Sequence, residues 1–155
     1  MLTTNQRGAI AECAIVYEAV RLGIGVYRPV ADERADLIFD VGHRLLRVQC
    51  KAAAYDGDVL AIRLYSARRA ADGLRRRLYT PQEIDAFAAH CVETGACYFF
   101  DFSDVTSPSE FRLRLTPTRN NQAKGVKWAR DFEFGARLSR PGAVAQLGER
   151  LAGSQ

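Results

Sequence analysis

The sequence holds only two histidines, His43 and His90, and four cysteines, Cys13, Cys50, Cys91 and Cys97. Two histidines leave little material for imidazole catalysis or a His-rich metal site. The cysteines are scattered through apolar stretches, with no CxxC pair and no His-rich partner segment. That excludes a zinc centre, and they read as reduced, buried thiols. Long apolar runs are missing too. None approaches the roughly 20 residues needed to cross a bilayer, and Met1 to Gly8 lacks the charged-then-apolar pattern of a secretion signal. No membrane partner is expected, and the expected compartment is the cytoplasm. No internal repeat divides the chain.

What is present is a chain of 155 residues, 48% apolar, the usual size for one compact domain around a single core. The net charge of +4 is modest, but much of the positive charge is gathered in Arg68, Arg69, Arg75, Arg76 and Arg77. Such a cluster suits a polyphosphate partner. A solvated arginine-rich loop accounts for the charge alone equally well.

Asn5 to Leu22 is proline-free, rich in Ala, Ile, Glu and Val, and stops at Gly23, so it reads as a helix. Four short β-branched and apolar runs follow, Gly25 to Val30, Asp36 to Val41, Arg44 to Ala53 and Val59 to Ser66, and read as consecutive strands. Thr80-Pro81-Gln82-Glu83 carries a capping threonine, proline at the first helical position and a glutamate behind it, which predicts a second helix to about Glu93. Ala96 to Phe102 and Glu110 to Leu115 read as strands, and Asn121 to Phe132 as a short helix carrying Trp128. The expected fold is α/β (α+β), one mixed central sheet flanked by helices. Residues 1–138 form the expected domain. Ser139 to Gln155, small-residue-rich and without an apolar face, is expected to be a marginal tail.

The informative stretch runs from Ala35 to Lys51. Gly42-His43 fits a two-residue type II′ hairpin turn with glycine at its first central position. Val41 then pairs with Arg44, and counting outward sets Asp36 opposite Gln49. Cross-strand partners have Cβ atoms about 4.5–5.5 Å apart on one face of a sheet, and Lys51 falls on that face two residues on. Leu46, Val48 and Cys50 take the other face, as a core requires, so the polar face needs its own explanation. An exposed sheet face is the plain alternative. Against it stands Glu12, in the middle of the small and apolar helical run Gly8 to Val16, where an ionised carboxylate is costly unless it meets a cation or a donor. A helix offering Glu12 to a sheet that offers Asp36, Gln49 and Lys51 makes an oxygen-lined site suited to a hard divalent cation.

This ordered set, a helix glutamate, then Asp36, then Gln49-Cys50-Lys51, resembles the PD-(D/E)XK nucleases, and within them the branch that includes group I intron homing endonucleases. The resemblance extends through Arg7 to Glu12, Arg28-Pro29-Val30, Tyr79 to Asp85 and Pro117 to Gln122, about residues 5–135. Ala35 replaces the proline before the aspartate, and Gln49 stands where an acid is usual; some homing-type members resemble this chain there. The resemblance implies a restriction-endonuclease-like core and hydrolysis of DNA phosphodiester bonds with Mg²⁺, for which Mn²⁺ can substitute. Glu12, Asp36, Gln49 and Lys51 are then the catalytic set. The metal falls to Asp36, the Gln49 amide oxygen and the Cys50 carbonyl, with Glu12 bound directly or through a water. Lys51 orients the attacking water and holds the phosphate.

The partner expected is double-stranded DNA. Arg7, the five clustered arginines, and Arg119, Asn120, Asn121, Gln122 and Lys124 are the contact candidates, since Arg and Lys grip the backbone while Asn and Gln can read base edges. Capping of the helix expected at Asn121 is the competing role for the amides. Tyr98, Phe99, Phe100 and Trp128 read as core rather than as base-stacking platforms. One small domain holds one active site, and cutting a duplex usually takes two, so a homodimer or homotetramer is expected.

Gly142 to Arg150 can be back-translated as a tRNA acceptor strand followed by a D arm whose GCTC and GAGC halves pair. We read the frame as running into a tRNA gene; an ordinary small terminal helix is the plain alternative. A structure-selective resolvase and a DNA-binding module without hydrolysis are the alternatives, the latter because Gln49 adds no negative charge.

Overall fold

The structure, a computed structural model, describes residues 1–138. The expected tail and its tRNA-like coding segment lie outside the described residues.

Helix α1 (Thr4–Arg21) starts on a capping box. Thr3 Oγ1 accepts from Gln6 N–H at 3.1 Å, and Gln6 Oε1 accepts from Thr3 N–H at 2.8 Å. These two bonds satisfy donors that the first helical turn leaves without partners. The helix buries Ala11, Ile15 and Ala19, a stripe at i, i+4, i+8 whose small residues let the helix lie close to a sheet.

Strands β1 (Gly25–Tyr27), β2 (Leu37–Asp40) and β3 (Leu45–Ala52) follow, then β4 (Ala54–Tyr55), β5 (Val59–Arg63), β6 (Tyr65–Ala70) and β7 (Gly73–Leu78). After them come β8 (Ala86–His90), β9 (Cys97–Asp101), β10 (Glu110–Arg114) and the short helix α2 (Phe134–Leu138). The central sheet has the order β1-β2-β3-β8-β9 and is mixed: β3 and β8 are parallel, the other pairs antiparallel. α1 and α2 cover one face through Ile15, Leu37, Phe39, Val48, Phe99 and Phe134. The other face is covered by a second small sheet, β10-β5-β4, where Phe100 stacks on Phe111 with ring centroids 3.8 Å apart. The fold is α+β with a mixed sheet, as expected. Among the described residues no helix is long and apolar enough to cross a membrane.

Two expected helices are absent. At Thr80 half of the capping box forms: Thr80 N–H and Oγ1 both donate to Glu83 Oε1 at 3.2 Å, while the Glu83 and Ile84 N–H groups donate to the Thr80 carbonyl at 3.0 and 3.1 Å. It makes only a turn, and the chain then enters β8. Every residue of Ala86-Phe87-Ala88-Ala89-His90 is buried between β3 and β9. A strand buried on both faces has no polar alternation to read, and sheet pairing overrides alanine's helix preference. Asn121 to Phe132 is a loop closing in a 3-10 turn at Ala129–Phe132. Asn121 (φ 53°) and Gly125 (φ 78°) both hold left-handed backbone, which no α-helix can absorb. The amides therefore cap no helix; Asn120 Oδ1 accepts from Gln122 N–H at 3.3 Å in a local turn. The expected strand Val59 to Ser66 is divided at Leu64, where β5 gives way to β6. Of the four thiols, Cys13 is exposed rather than buried.

Candidate active site

The β2–β3 hairpin keeps the register that its turn predicts. Gly42 has φ 97°, Val41 N–H donates to the Arg44 carbonyl at 3.1 Å, and the ladder runs from Asp40↔Leu45 to Leu37↔Val48. Asp36 is one residue beyond that ladder, so it does not pair squarely with Gln49. The chain bends there: Asp36 N–H doubles back to the Val48 carbonyl at 2.9 Å, and Oδ2 accepts from Cys50 N–H at 3.1 Å. The carboxylate thus sits across the second half of β3, held by the main chain of the Gln-Cys-Lys run itself.

Burial pushes the Asp36 carboxyl above the usual carboxylate range; the Cys50 N–H and Lys51 pull it back partway, and Glu12 pushes it further. Burial also lowers the Lys51 ammonium below its ordinary value, with Asp36 opposing and Arg34 and Arg63 adding to the shift. Lys51 Nζ donates to the Tyr65 carbonyl at 2.9 Å. Gln49 is 8% exposed, and its buried Oε1 has no hydrogen-bond partner. Burial raises the Cys50 thiol well above its ordinary value. The sulfur therefore stays protonated, and Cys50 can offer a cation only its carbonyl.

Glu12 approaches from α1, which covers the opposite face of the sheet. Its carboxylate pairs with the Arg28 guanidinium and is close enough to influence both Asp36 and Cys50. Among the described residues no three His, Cys, Asp or Glu side chains cluster around a cation-sized space. Amide and main-chain oxygens and water would therefore complete any cation's shell. The donor set fits one nonetheless. Gln49 Oε1 is a buried acceptor with nothing donating to it, and the next residue along the strand, Cys50, holds a half-buried carboxylate through its N–H; both conditions are costly without a positive partner.

The clustered arginines form no loop. Arg68 and Arg69 lie on β6, Arg75, Arg76 and Arg77 on β7, and the two strands make a ribbon of their own. The strand β7 is exposed along its whole length. Arg75 is tied to Asp72 at 2.8 Å and Arg77 to Glu83 at 2.8 Å, while the Arg76 guanidinium carbon lies 4.7 Å from the Tyr65 ring centroid. Arg7 pairs with Glu93 at 3.0 Å. Arg119, Asn120, Asn121, Gln122 and Lys124 are exposed on the loop after β10, beside the turn at Asp56 and Asp58. Tyr98, Phe99 and Phe100 are buried, as expected of core, whereas Trp128 is only half-buried, with the Arg130 guanidinium carbon 5.0 Å from its ring centroid.

Sequence reasoning missed Arg28, Arg34 and Tyr79. Arg28 falls within Arg28-Pro29-Val30, already part of the family resemblance, but nothing local paired it with Glu12. Arg34 ends a charged run that looks like ordinary loop.

A family model described as PD-(D/E)XK endonuclease matches residues 2–135. No curated protein matches the sequence. Among solved structures, a bacterial homing endonuclease, I-Ssp6803I, is similar at 26% identity and a TM-score of 0.68, over 94% of this chain and 99% of that one.

Proposed function

The chain belongs to the PD-(D/E)XK endonuclease family, and from that premise we propose that it is a divalent-metal-dependent DNA endonuclease of homing type. The observation that carries the reading is the Gln49 oxygen, buried without a donor, next along the strand to the Cys50 N–H that holds the partly desolvated Asp36 carboxylate. Folds rarely leave such a pair uncompensated unless a ligand supplies the charge.

Asp36 and the Gln49 amide oxygen would hold the cation, with the Cys50 carbonyl beside them and Glu12 at the far side. Mg²⁺ suits this hard oxygen set, and Mn²⁺ can replace it. When bound, the cation neutralises the scissile phosphate and makes water a better nucleophile. The chain's own groups do the rest. Lys51 has one donor on the Tyr65 carbonyl and the others free to hold a phosphate oxygen and orient the attacking water. Asp36, fixed by the Cys50 N–H, keeps its carboxylate in one place while DNA arrives. The exposed ribbon and the 119–124 loop supply the cations that neutralise the duplex backbone. A two-stranded ribbon is narrow enough for the major groove, and Asn120, Asn121 and Gln122 are free of helix duty.

With one site per domain, cleavage of both strands needs two copies, in a homodimer or homotetramer. The similar structure is described as a homing endonuclease, which favours a defined target site, and our reading of Gly142 to Arg150 as tRNA-like coding puts that target in or beside a tRNA gene, with a group I intron as the alternative setting.

The test is cleavage of a plasmid library carrying tRNA genes with their flanks, in Mg²⁺ and in chelator, with the ends sequenced. Metal-dependent cuts at one recurrent site are expected. Preferential cutting of a synthetic four-way junction would make the protein a resolvase. Duplex binding without cleavage in any divalent cation would leave a DNA-binding module.

A further inference from the structure

Two residues before Asp36, the Arg34 side chain runs to the root of the ribbon, 20% exposed. Its Nη1 donates to Ser66 Oγ at 2.8 Å, and its Nη2 donates to the carbonyls of Leu78 at 2.9 Å and Arg77 at 3.3 Å. Its Nε lies 3.1 Å from Glu83 Oε2, and its guanidinium carbon is 4.0 Å from the centroid of the Tyr79 ring. Glu83 is fixed in turn by Thr80 and takes Arg77 as a second partner.

Lys51 reaches the same place from β3. Its Nζ donates to the Tyr65 carbonyl and lies 4.9 Å from the same Tyr79 ring. Tyr65 and Leu78 are the cross-strand pair that opens the ribbon. The first rung is therefore gripped on one strand by Lys51 and on the other by Arg34, and Arg34 is joined through one intervening residue to Asp36. A planar fork serving several divergent acceptors cannot be reproduced by an ammonium.

We propose that Arg34 is a positioning residue that couples the seat of the ribbon on DNA to the placement of Lys51 in the active site. The proposal rests on the reading of the ribbon as a DNA contact and of Lys51 as the phosphate-facing cation. Since Lys51 is bonded to the ribbon root, any tilt of the ribbon on a duplex displaces its ammonium, and Arg34 holds the root to one orientation relative to Asp36. In catalysis a displacement on the order of 1 Å is enough to matter.

The chain has three lysines, Lys51, Lys124 and Lys127, so lysine labelled with carbon-13 at Cε gives few signals, and the Lys51→Arg variant identifies the relevant one. The probe is a mixed-sequence linear duplex at low salt without divalent cation. In the wild type the Lys51 signal should move when duplex is added. In Arg34→Met and Arg34→Lys it should move to a different and broadened position, with duplex affinity within about threefold of wild type, and a bound signal identical to that of wild type would overturn the coupling. Single-turnover cleavage of the library target should fall about a hundredfold in both, and saturating DNA should not restore it.

Wild-type cleavage by Arg34→Lys would reduce Arg34 to a charge and overturn the proposal. So would equal losses of affinity and cleavage, which would mean that the ribbon had merely come loose. Glu83→Gln keeps an acceptor for Thr80 while weakening the seat, and covers the case in which the Arg34 variants do not fold. It should slow cleavage several-fold at unchanged affinity, and unchanged cleavage would count against the coupling. A wild type that cuts no duplex would sink the nuclease reading, whereas the Lys51 signal is read without cleavage and judges the coupling separately.

Discussion

The polar groups at the β2–β3 hairpin and the arginines of the β6–β7 ribbon are held in opposite ways. At the hairpin, Asp36, Gln49 and Lys51 are withdrawn from water, two of them with shifted ionisation and one with a buried oxygen that nothing satisfies. On the ribbon, the arginines stand in solvent and lean on Asp72, Glu83 and the Tyr65 ring. An exposed ion pair is worth about 0–1 kcal/mol, so a phosphate can displace it at little cost. The hairpin keeps its groups in place at the expense of stability, as chemistry at one bond requires. The ribbon keeps its groups exchangeable, as a long polyanion requires. Losses at the first region should therefore appear in rate, and losses at the second in affinity.

The largest expected effect breaks the rate without the affinity. Asp36→Ala and Lys51→Ala should each lower single-turnover cleavage by at least about a thousandfold, with the dissociation constant for duplex within a few-fold of wild type. Circular dichroism must be unchanged for the comparison to hold. Unfolding of either variant would make these residues supports of the hairpin and not its chemistry.

The converse change is made on the ribbon. Replacing Arg75, Arg76 and Arg77 together with alanine should weaken duplex binding and flatten its salt dependence, by up to about 0.9 in the log–log slope for each phosphate that is no longer neutralised. Arg75→Ala also leaves Asp72 facing the duplex without its partner, so Asp72→Asn should tighten binding at low salt. An unchanged slope in the triple variant would make the ribbon a solvated ornament, and the contrast with the hairpin would collapse.

The two regions were not equally legible in the sequence. The hairpin could be counted because a two-residue turn with glycine leaves one register, and alternation then sorts Leu46, Val48 and Cys50 from Gln49 and Lys51. That count stopped being reliable at Asp36, where the chain leaves the ladder and the carboxylate finds the Cys50 N–H instead of facing Gln49. The ribbon showed in sequence only as charge. Its root is held by Arg34 and Glu83, which carry no periodic signal. β8 was misread for a related reason, since Ala-Phe-Ala-Ala-His buried on both faces looks the same whether the chain is strand or helix. What sequence concealed were contacts between segments far apart in the chain, among them Glu12 with Arg28 and Lys51 with Tyr65.

A smaller effect tests the cost of the hairpin through pH. Burial raises the Asp36 carboxyl in the metal-free fold above its value in the unfolded chain. The folded state therefore holds this proton more tightly, and stability is fully present below the ordinary carboxylate range and falls as pH rises through the raised value. Asp36→Asn cannot ionise, so its metal-free melting temperature should exceed that of wild type at neutral pH, and the difference should shrink as pH falls through the raised value and be gone below about 4. A difference that stays constant across that window would mean that the carboxylate is already compensated without metal.

The smallest effect isolates one oxygen. Gln49→Met preserves length and approximate volume but removes the acceptor that the fold leaves without a donor. A buried polar atom without a partner costs about 1–3 kcal/mol, whereas an apolar group of similar shape is close to neutral. The variant should therefore be more stable without metal, by about 1 kcal/mol, which for a chain of this size is about 2–4 °C in melting temperature. Magnesium should then reverse the order. A cation that binds the folded state raises its stability with concentration, and the wild type, with side-chain oxygens from both Asp36 and Gln49 on the cation, should gain more than a variant left with Asp36. Cleavage should fall in Gln49→Met even where stability rises. Melting curves of both proteins across a magnesium titration would show the two lines crossing. Parallel lines would remove Gln49 from the metal's shell, and a wild type more stable than Gln49→Met at zero magnesium would mean that its oxygen is already satisfied in the fold.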